Sequence, residues 1–181
     1  MANVWNRRAA AAAGLLAVTL AFSACKRKQA VKVEQADEDG PRISSIVHTG
    51  DPKAETQLVT GFYGIEQNSW RWTSQQFAVI LRPPAGAAQK GATLNVQLAV
   101  ADSTIKQLKT ITLSASAGGT ALPPETYTQA GGFTYTRDLP ASALSGDVTR
   151  IDFQLDRTLP PNPPDRRDLG LIVSSISLDG K

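Results

Sequence analysis

The chain has one cysteine, Cys25, one histidine, His48, and one methionine, at its start. A single thiol forms no disulfide within the chain, so an exported domain of this sequence rests on its packed core. A histidine-rich metal centre is excluded, and a Ser-His-Asp triad would have to be built on His48, at the edge of a polar N-terminal segment. Long apolar runs are missing as well. Ala9 to Ala21 covers about 13 residues, short of the ~20 that cross a bilayer as a helix. Nor is there an excess of one charge: 19 Lys and Arg face 16 Asp and Glu, and Arg7 and Arg8 lie in the first 24 residues, which carry no acid, leaving 17 against 16 beyond them. With no basic cluster interleaved with aromatics, nucleic acid is not expected as a partner. No glycine-rich phosphate loop follows a strand, since Gly118-Gly119 and Gly131-Gly132 read as turns.

What is present begins with an export pattern: Arg7 and Arg8, the short apolar run, then small Ser23 and Ala24 before Cys25. The segment resembles the lipobox of bacterial lipoproteins, with Phe22 standing where that family usually carries an aliphatic residue. The resemblance implies that a diacylglycerol alkylates Cys25, that the chain is cut between Ala24 and Cys25, and that the new amino terminus is acylated. The alternative is an ordinary secretory signal with an incidental buried cysteine. Two or three acyl chains, at roughly 0.8 kcal/mol per buried methylene, exceed the threshold for stable anchoring. Lys26-Arg27-Lys28 would add about 1 kcal/mol each beside an anionic surface, or would simply be solvated. Lys26 stands where an Asp resembles an inner-membrane retention signal, so a cell-envelope location, in the outer membrane where there is one, is the expectation. Residues 29 to 41 are polar and acidic and read as a disordered tether, with a reach of roughly 20 Å from the anchor. The division is residues 1–24 signal, 25–41 anchor and tether, and 42–181 a single domain.

From Arg42 onward the pattern alternates with period two, which argues for half-buried strands. Leu94, Val96, Leu98 and Val100 face one way; Ile151, Phe153 and Leu155 do the same, as do Phe133, Tyr135 and Arg137. Phe77, Val79 and Leu81 make a strand whose other face carries Ala78 and Ile80, as a central strand would, and Lys109, Ile111 and Leu113 make a weaker one. Leu169, Leu171 and Val173 share one parity and Ile176 and Leu178 the other, so a bulge is expected at Ser174-Ser175. Turn formers recur at Pro83-Pro84-Ala85-Gly86, Gly118-Gly119, Pro123-Pro124, Gly131-Gly132 and Ser145-Gly146-Asp147. No convincing helical face follows Cys25. The fold expected is all-β, an antiparallel β-sandwich or jelly roll, with a closed barrel as the alternative.

Two segments fit the strand pattern poorly. Residues 61–73 hold Gly61, Phe62, Tyr63, Glu66 and then Trp70-Arg71-Trp72; residues 159–170 hold Pro160 to Pro164, then Asp165, Arg166, Arg167, Leu169 and Gly170. Together they resemble the start and end of a carbohydrate-binding-like β-sandwich domain of bacterial surface proteins, also found beside some glycosyltransferase domains. The likeness covers roughly Gly61 to Leu178. Physically, Pro160 to Pro164 is expected to cross an end of the sandwich in extended form, and Asp165 to accept hydrogen bonds from backbone N–H groups or from Arg166 and Arg167. Trp70 and Trp72 share a face opposite Arg71, and one or both tryptophans are expected to face the core.

Three functions remain open. Tyr63, Trp70 and Trp72 would form a platform stacking on sugar rings, with Glu66 and Arg71 bonding hydroxyls; against this, tryptophans commonly fill cores and the charges would fix a loop. A noncatalytic, lipid-anchored glycan or envelope-component binder leads. A structural protein docking another envelope protein through an edge strand is second. A hydrolase is third, because carboxylates at Glu66, Asp165 and Asp168 suit structural roles as well as paired acid-base chemistry. No catalytic residue, metal site or cofactor is assigned; calcium at Asp165 or Asp168 lacks a ligand series.

Overall fold

A computed structural model describes residues 42–181. The signal segment, Cys25 and the tether lie outside the described residues. No helix among the described residues is long and apolar enough to cross a membrane.

Among the described residues the nine strands are β1 (Ile46–His48), β2 (Leu58–Glu66), β3 (Trp70–Leu81), β4 (Ala92–Val100), β5 (Ile111–Ala117), β6 (Thr120–Tyr127), β7 (Gly131–Leu139), β8 (Thr149–Leu155) and β9 (Ile172–Gly180). All their pairings are antiparallel. The hydrogen-bonded path runs β6-β5-β8-β3-β9-β4-β7, with β1 beside β9 and β2 beside β3. Strand β3 belongs to both layers: Gln76 to Leu81 pair with β8, while Arg71 and Trp72 pair with β9. The fold is an antiparallel β-sandwich whose two layers are joined through one bent strand.

The alternation in the sequence sets the core. Leu94, Val96, Leu98 and Val100 point inward beside their β9 partners Val173, Ile176 and Leu178, and Ile111 and Leu113 with Ile151, Phe153 and Leu155 point inward from β5 and β8, all buried. Phe77 stacks on its cross-strand partner Phe153 with ring centroids 4.7 Å apart, and Phe62 meets Phe77 edge-on at 5.4 Å. Such pairs add about 0.5–1.5 kcal/mol each beyond their buried area. The expected bulge is present: Gln97 pairs with Ser175 and Leu98 with Val173, so Ser174 is the extra residue that reverses the phase of β9. Ala78 is buried beside Phe77 and Val79, as a central strand requires.

Other expectations change. A two-turn helix, α2 (Asp102–Leu108), carries the chain from β4 to β5, and a four-residue α1 (Ala87–Lys90) precedes β4. Lys109 ends α2 with a positive φ of 69° instead of opening β5. Gly131 and Gly132 open β7, opposite Val100 and Ala99, and Pro123-Pro124 lies within β6, where the register with β5 shifts. Edge strands tolerate proline at such a bulge because no ladder bond is lost. Arg137 holds that edge, donating to the carbonyl oxygens of Pro123 and Pro124 and to Glu125 while its guanidinium lies 4.1 Å from the Tyr135 ring centroid. His48 sits in β1, the first strand, paired with Ser175 and exposed.

Candidate ligand groove

The two segments that broke the strand pattern meet. Residues 159–169 do not cross the sandwich extended; they fold back on themselves, with Leu159 bridging Leu169 and Asn162 bridging Asp165. Arg167 organises the loop. Its Nε and Nη2 donate to both oxygens of Asp165 at 2.8–3.2 Å, its backbone N–H donates to Asp165 at 3.0 Å, and its Nη1 reaches Glu66 at the end of β2 at 2.9 Å. Its guanidinium also lies 5.3 Å from the Tyr63 ring centroid. The Tyr63 hydroxyl donates to the Asp168 carboxylate, whose other oxygen accepts from the Gln75 N–H at 3.3 Å. Charge-assisted, bidentate bonds of this kind fix geometry as well as charge. Arg166 points outward and is exposed.

These contacts set the titration of the loop. The side-chain and backbone donors of Arg167 hold the Asp165 carboxyl well below the usual carboxylate range, at about 2. Burial, reinforced by the bond to Asp168, pushes the Tyr63 phenol up to about 12. Burial likewise raises Tyr127 and Tyr135. None of the three tyrosines is therefore expected to ionise at the ordinary value near 10 in the folded domain. A raised folded-state value means that the neutral phenols stabilise the fold fully below pH 10 and lose that contribution as pH climbs past it, Tyr63 by about 12. Ultraviolet titration of phenolate checks this: absorbance should stay flat near pH 10 and rise only at higher pH or with unfolding, whereas a step at pH 10 would place a tyrosine in open solvent.

Arg71 and the tryptophans exchange their expected faces. Arg71 is the buried member, 4% exposed, and Thr73 is buried on the same side. Its Nε donates to the carbonyl oxygen of Thr49 at 2.7 Å, Nη1 to that of Tyr63 at 3.0 Å, and Nη2 to the Glu55 carboxylate at 2.7 Å. A guanidinium with each edge so matched can be taken out of water. Trp70 and Trp72 consequently lie on the outer face, part exposed, their rings edge-to-face with centroids 6.0 Å apart.

Around Trp70 the outer face of β3-β9-β4-β7 is hollow. The groove is about 500 Å³ and is lined by Trp70, Gln97, Ala99, Gly132, Thr134, Ile172 and Ser174, among others. Register explains the hollow: Trp72 pairs with Ile172, Ile172 with Ala99, and Ala99 with Gly132, so one row across the layer descends from large residues to none. The bulge at Ser174 sits in its wall. Gln97 accepts from Thr134 at 3.0 Å, which leaves its amide nitrogen for a ligand.

The structure thus separates the sequence candidates. Trp70 lines the groove and Trp72 buttresses it; Tyr63, Glu66, Asp165, Arg167 and Asp168 staple β2 to the loop; Arg71 locks the inner side of β3. Leu169 and Gly170 complete the staple, since Leu169 exchanges both backbone bonds with Leu159 and the Gly170 N–H donates to the Thr73 carbonyl at 2.7 Å. Gln97, Thr134 and Ser174 were not singled out by sequence, because a polar residue on the outer face of a strand is the commonest kind there is. Among the described residues no three His, Cys, Asp or Glu side chains cluster to hold a metal ion.

No family model and no curated protein sequence matches the chain. Among solved structures it is similar to the CBM36-1 domain of a multidomain xylanase from the hindgut metagenome of Trinervitermes trinervoides, at 10% identity and TM-score 0.43, over 75% of this chain and 96% of that one. It is similar also to a carbohydrate-binding module CBM36 in complex with calcium and xylotriose, at 12% identity and TM-score 0.43, over 74% and 98% of the two chains. A family 35 carbohydrate-binding module from an environmental isolate gives 13% identity and TM-score 0.36, over 75% and 82%.

Proposed function

We propose that this chain is a noncatalytic glycan-binding β-sandwich, held in a bacterial cell envelope through an acylated Cys25. The observation that carries the binding reading is the outward Trp70 at the side of a 500 Å³ groove whose other walls supply Gln97, Thr134 and Ser174. An indole offers an apolar face to the C–H side of a sugar ring, and the amide and hydroxyls offer donors and acceptors to its hydroxyls. The volume falls within the range of small-ligand sites, roughly 300–1,000 Å³. The carboxylates that a hydrolase would need are engaged: Glu66 and Asp165 by Arg167, and Asp168 by Tyr63 and the Gln75 N–H.

The test is calorimetric titration of the full chain with xylohexaose, cellohexaose and chitohexaose, beside Trp70→Ala. Trp70 is part exposed, so the variant is expected to remain folded, and loss of an aromatic anchor should weaken binding at least roughly thirtyfold, about 2 kcal/mol. Unchanged affinity in a folded Trp70→Ala protein would remove this groove from the reading. The anchor is tested separately by intact mass of membrane-extracted protein: a chain beginning at Cys25 with added acyl mass, absent in Cys25→Ala, supports it, and an unmodified soluble chain refutes it.

A further inference from the structure

The opposite layer has a groove of its own. On the outer face of β2-β3-β8-β5 a hollow of about 390 Å³ is lined by Thr60, Gln76, Ala78, Ser114, Ser116, Arg150, Asp152 and Gln154, with Ala115, Phe77 and Phe153 beneath. It shares no residue with the groove around Trp70. Two register rows build it: Gln76 faces Gln154, which faces Ser114, and Thr60 faces Ala78, which faces Asp152, which faces Ser116. Small side chains at Ala78, Ser114 and Ser116 form the low middle, and the longer Gln76, Gln154 and Arg150 stand around them. Two inter-strand spacings make the first row roughly 10 Å long, and three make the second roughly 14 Å.

The chemistry of the lining is unlike that of the first groove. The Gln76 backbone carbonyl accepts from the Ser74 hydroxyl, and no hydrogen bond of the Gln76 side-chain amide or of the Ser114 and Ser116 hydroxyls occurs among the described residues. Gln154 donates its amide nitrogen to the Leu155 carbonyl at 2.8 Å and keeps its amide oxygen. Arg150 and Asp152 pair at 2.7 Å, each half exposed, so the groove carries both signs and no net charge. Amides, hydroxyls and a neutralised ion pair give many donors and acceptors close together, without an aromatic face on the outer side and without a charge to attract an ion. That array matches adjacent hydroxyls on an uncharged chain of sugar rings, each of which both donates and accepts.

The geometry points to a second glycan site here, one that recognises an uncharged oligosaccharide through hydrogen bonds alone. The sandwich is then bivalent, with its two grooves on opposite outer faces. No single short oligosaccharide fills both, but a polysaccharide is bridged between molecules, and two engaged sites raise avidity without any new contact.

Calorimetric stoichiometry on the full chain decides it, with cellohexaose, xylohexaose and chitohexaose as probes. Two sites are expected in the native chain, one in Trp70→Ala, and one in Gln76→Ala/Gln154→Ala, the last having lost at least roughly tenfold in affinity at the second groove. Both glutamines are exposed, so the melting curve of the double variant should match the parent's, and Ser116→Phe, which fills the hollow, gives an independent block. One site in the native chain, lost in Trp70→Ala and untouched by the glutamine and Ser116 variants, overturns the second groove and leaves the first standing. Binding abolished by the glutamine variants but not by Trp70→Ala does the reverse. No binding of any hexasaccharide overturns both.

Discussion

Gly61→Ala should destabilise the domain by about 2–5 kcal/mol, a large share of the 5–15 kcal/mol typical of a folded domain. Gly61 has a φ of +76°, and a Cβ added to it would lie 2.0 Å from the Gln76 carbonyl oxygen and 2.6 Å from the Phe77 Cα. Both atoms are backbone, so neither can swing aside. The left-handed conformation alone costs a non-glycine residue roughly 1–2 kcal/mol, and forcing backbones apart in a packed core adds about 1–3 kcal/mol or more. The position matters because β2 jumps register here: Thr60 pairs with Ala78 but Phe62 with Thr73, while β3 passes from one layer to the other. Gly170 grips the same joint from its other side, where a Cβ would meet Leu155 Cδ1 at 2.4 Å and Thr73 Oγ1 at 2.7 Å. The two nearest atoms are side-chain and the one backbone contact, the Ser74 carbonyl oxygen, is farther at 3.0 Å, so Gly170→Ala should cost less, about 1–3 kcal/mol. Gly64→Ala, with nothing within 4 Å, should stay within about 0.5 kcal/mol. Denaturant midpoints rank the three, and a Gly61→Ala protein as stable as Gly64→Ala would refute the close crossing of β2 over β3.

That joint also shows what the sequence could and could not disclose. Period-two alternation discloses the inward faces of β4 and β8, because there one parity is apolar and the other mostly polar, while the second half of β3, apolar on both parities, reads as a central strand. The phase change at Ser174 was readable for the same reason: two apolar parities cannot share one face without an extra residue. Residues 61–73 and 159–170 stood out by failing the pattern, and they fail it because both serve the place where a strand changes layer. Their ionic staple, Glu66 with Arg167 and Tyr63 with Asp168, spans 101 and 105 residues, and no local spacing encodes such a pairing.

The face of β3 at Trp70-Arg71-Trp72 departs from the expected one for a physical reason. Alternation offers two faces, and transfer energies favour indoles inside and a guanidinium outside. The preference inverts only when every edge of the guanidinium finds an acceptor, and here those acceptors come from Thr49, Glu55 and Tyr63, outside the strand itself. Helix α2 escaped notice because its seven residues bury only Thr104 fully, with Ile105 partly packed on the core, too short a stripe for a helical period to register.

Arg71→Met, the second large effect, tests that inversion directly and is expected to cost about 3 kcal/mol. Methionine keeps much of the apolar stem, so little cavity forms; the lost charged hydrogen bonds are largely offset by the desolvation that the guanidinium no longer requires, and what remains is the cost of leaving the Thr49 and Tyr63 carbonyls without their donor, about 1–3 kcal/mol each. Arg71→Lys should recover only part of the loss, since one ammonium cannot span three acceptors set around a planar fork. Glu55→Gln should cost under about 1 kcal/mol, because that carboxylate is 65% exposed and its pairing is screened by water. Denaturation of the three variants gives the order, and binding gives the link to function. Arg71 lies between Trp70 and Trp72 and pairs with Val173 across from the groove, so loosening it lets both indoles shift. Arg71→Met should therefore lose stability and glycan affinity together, whereas Trp70→Ala should lose affinity alone. An Arg71→Met protein that is stable yet fails to bind would instead put the guanidinium at the ligand, on the face where the structure has the tryptophans.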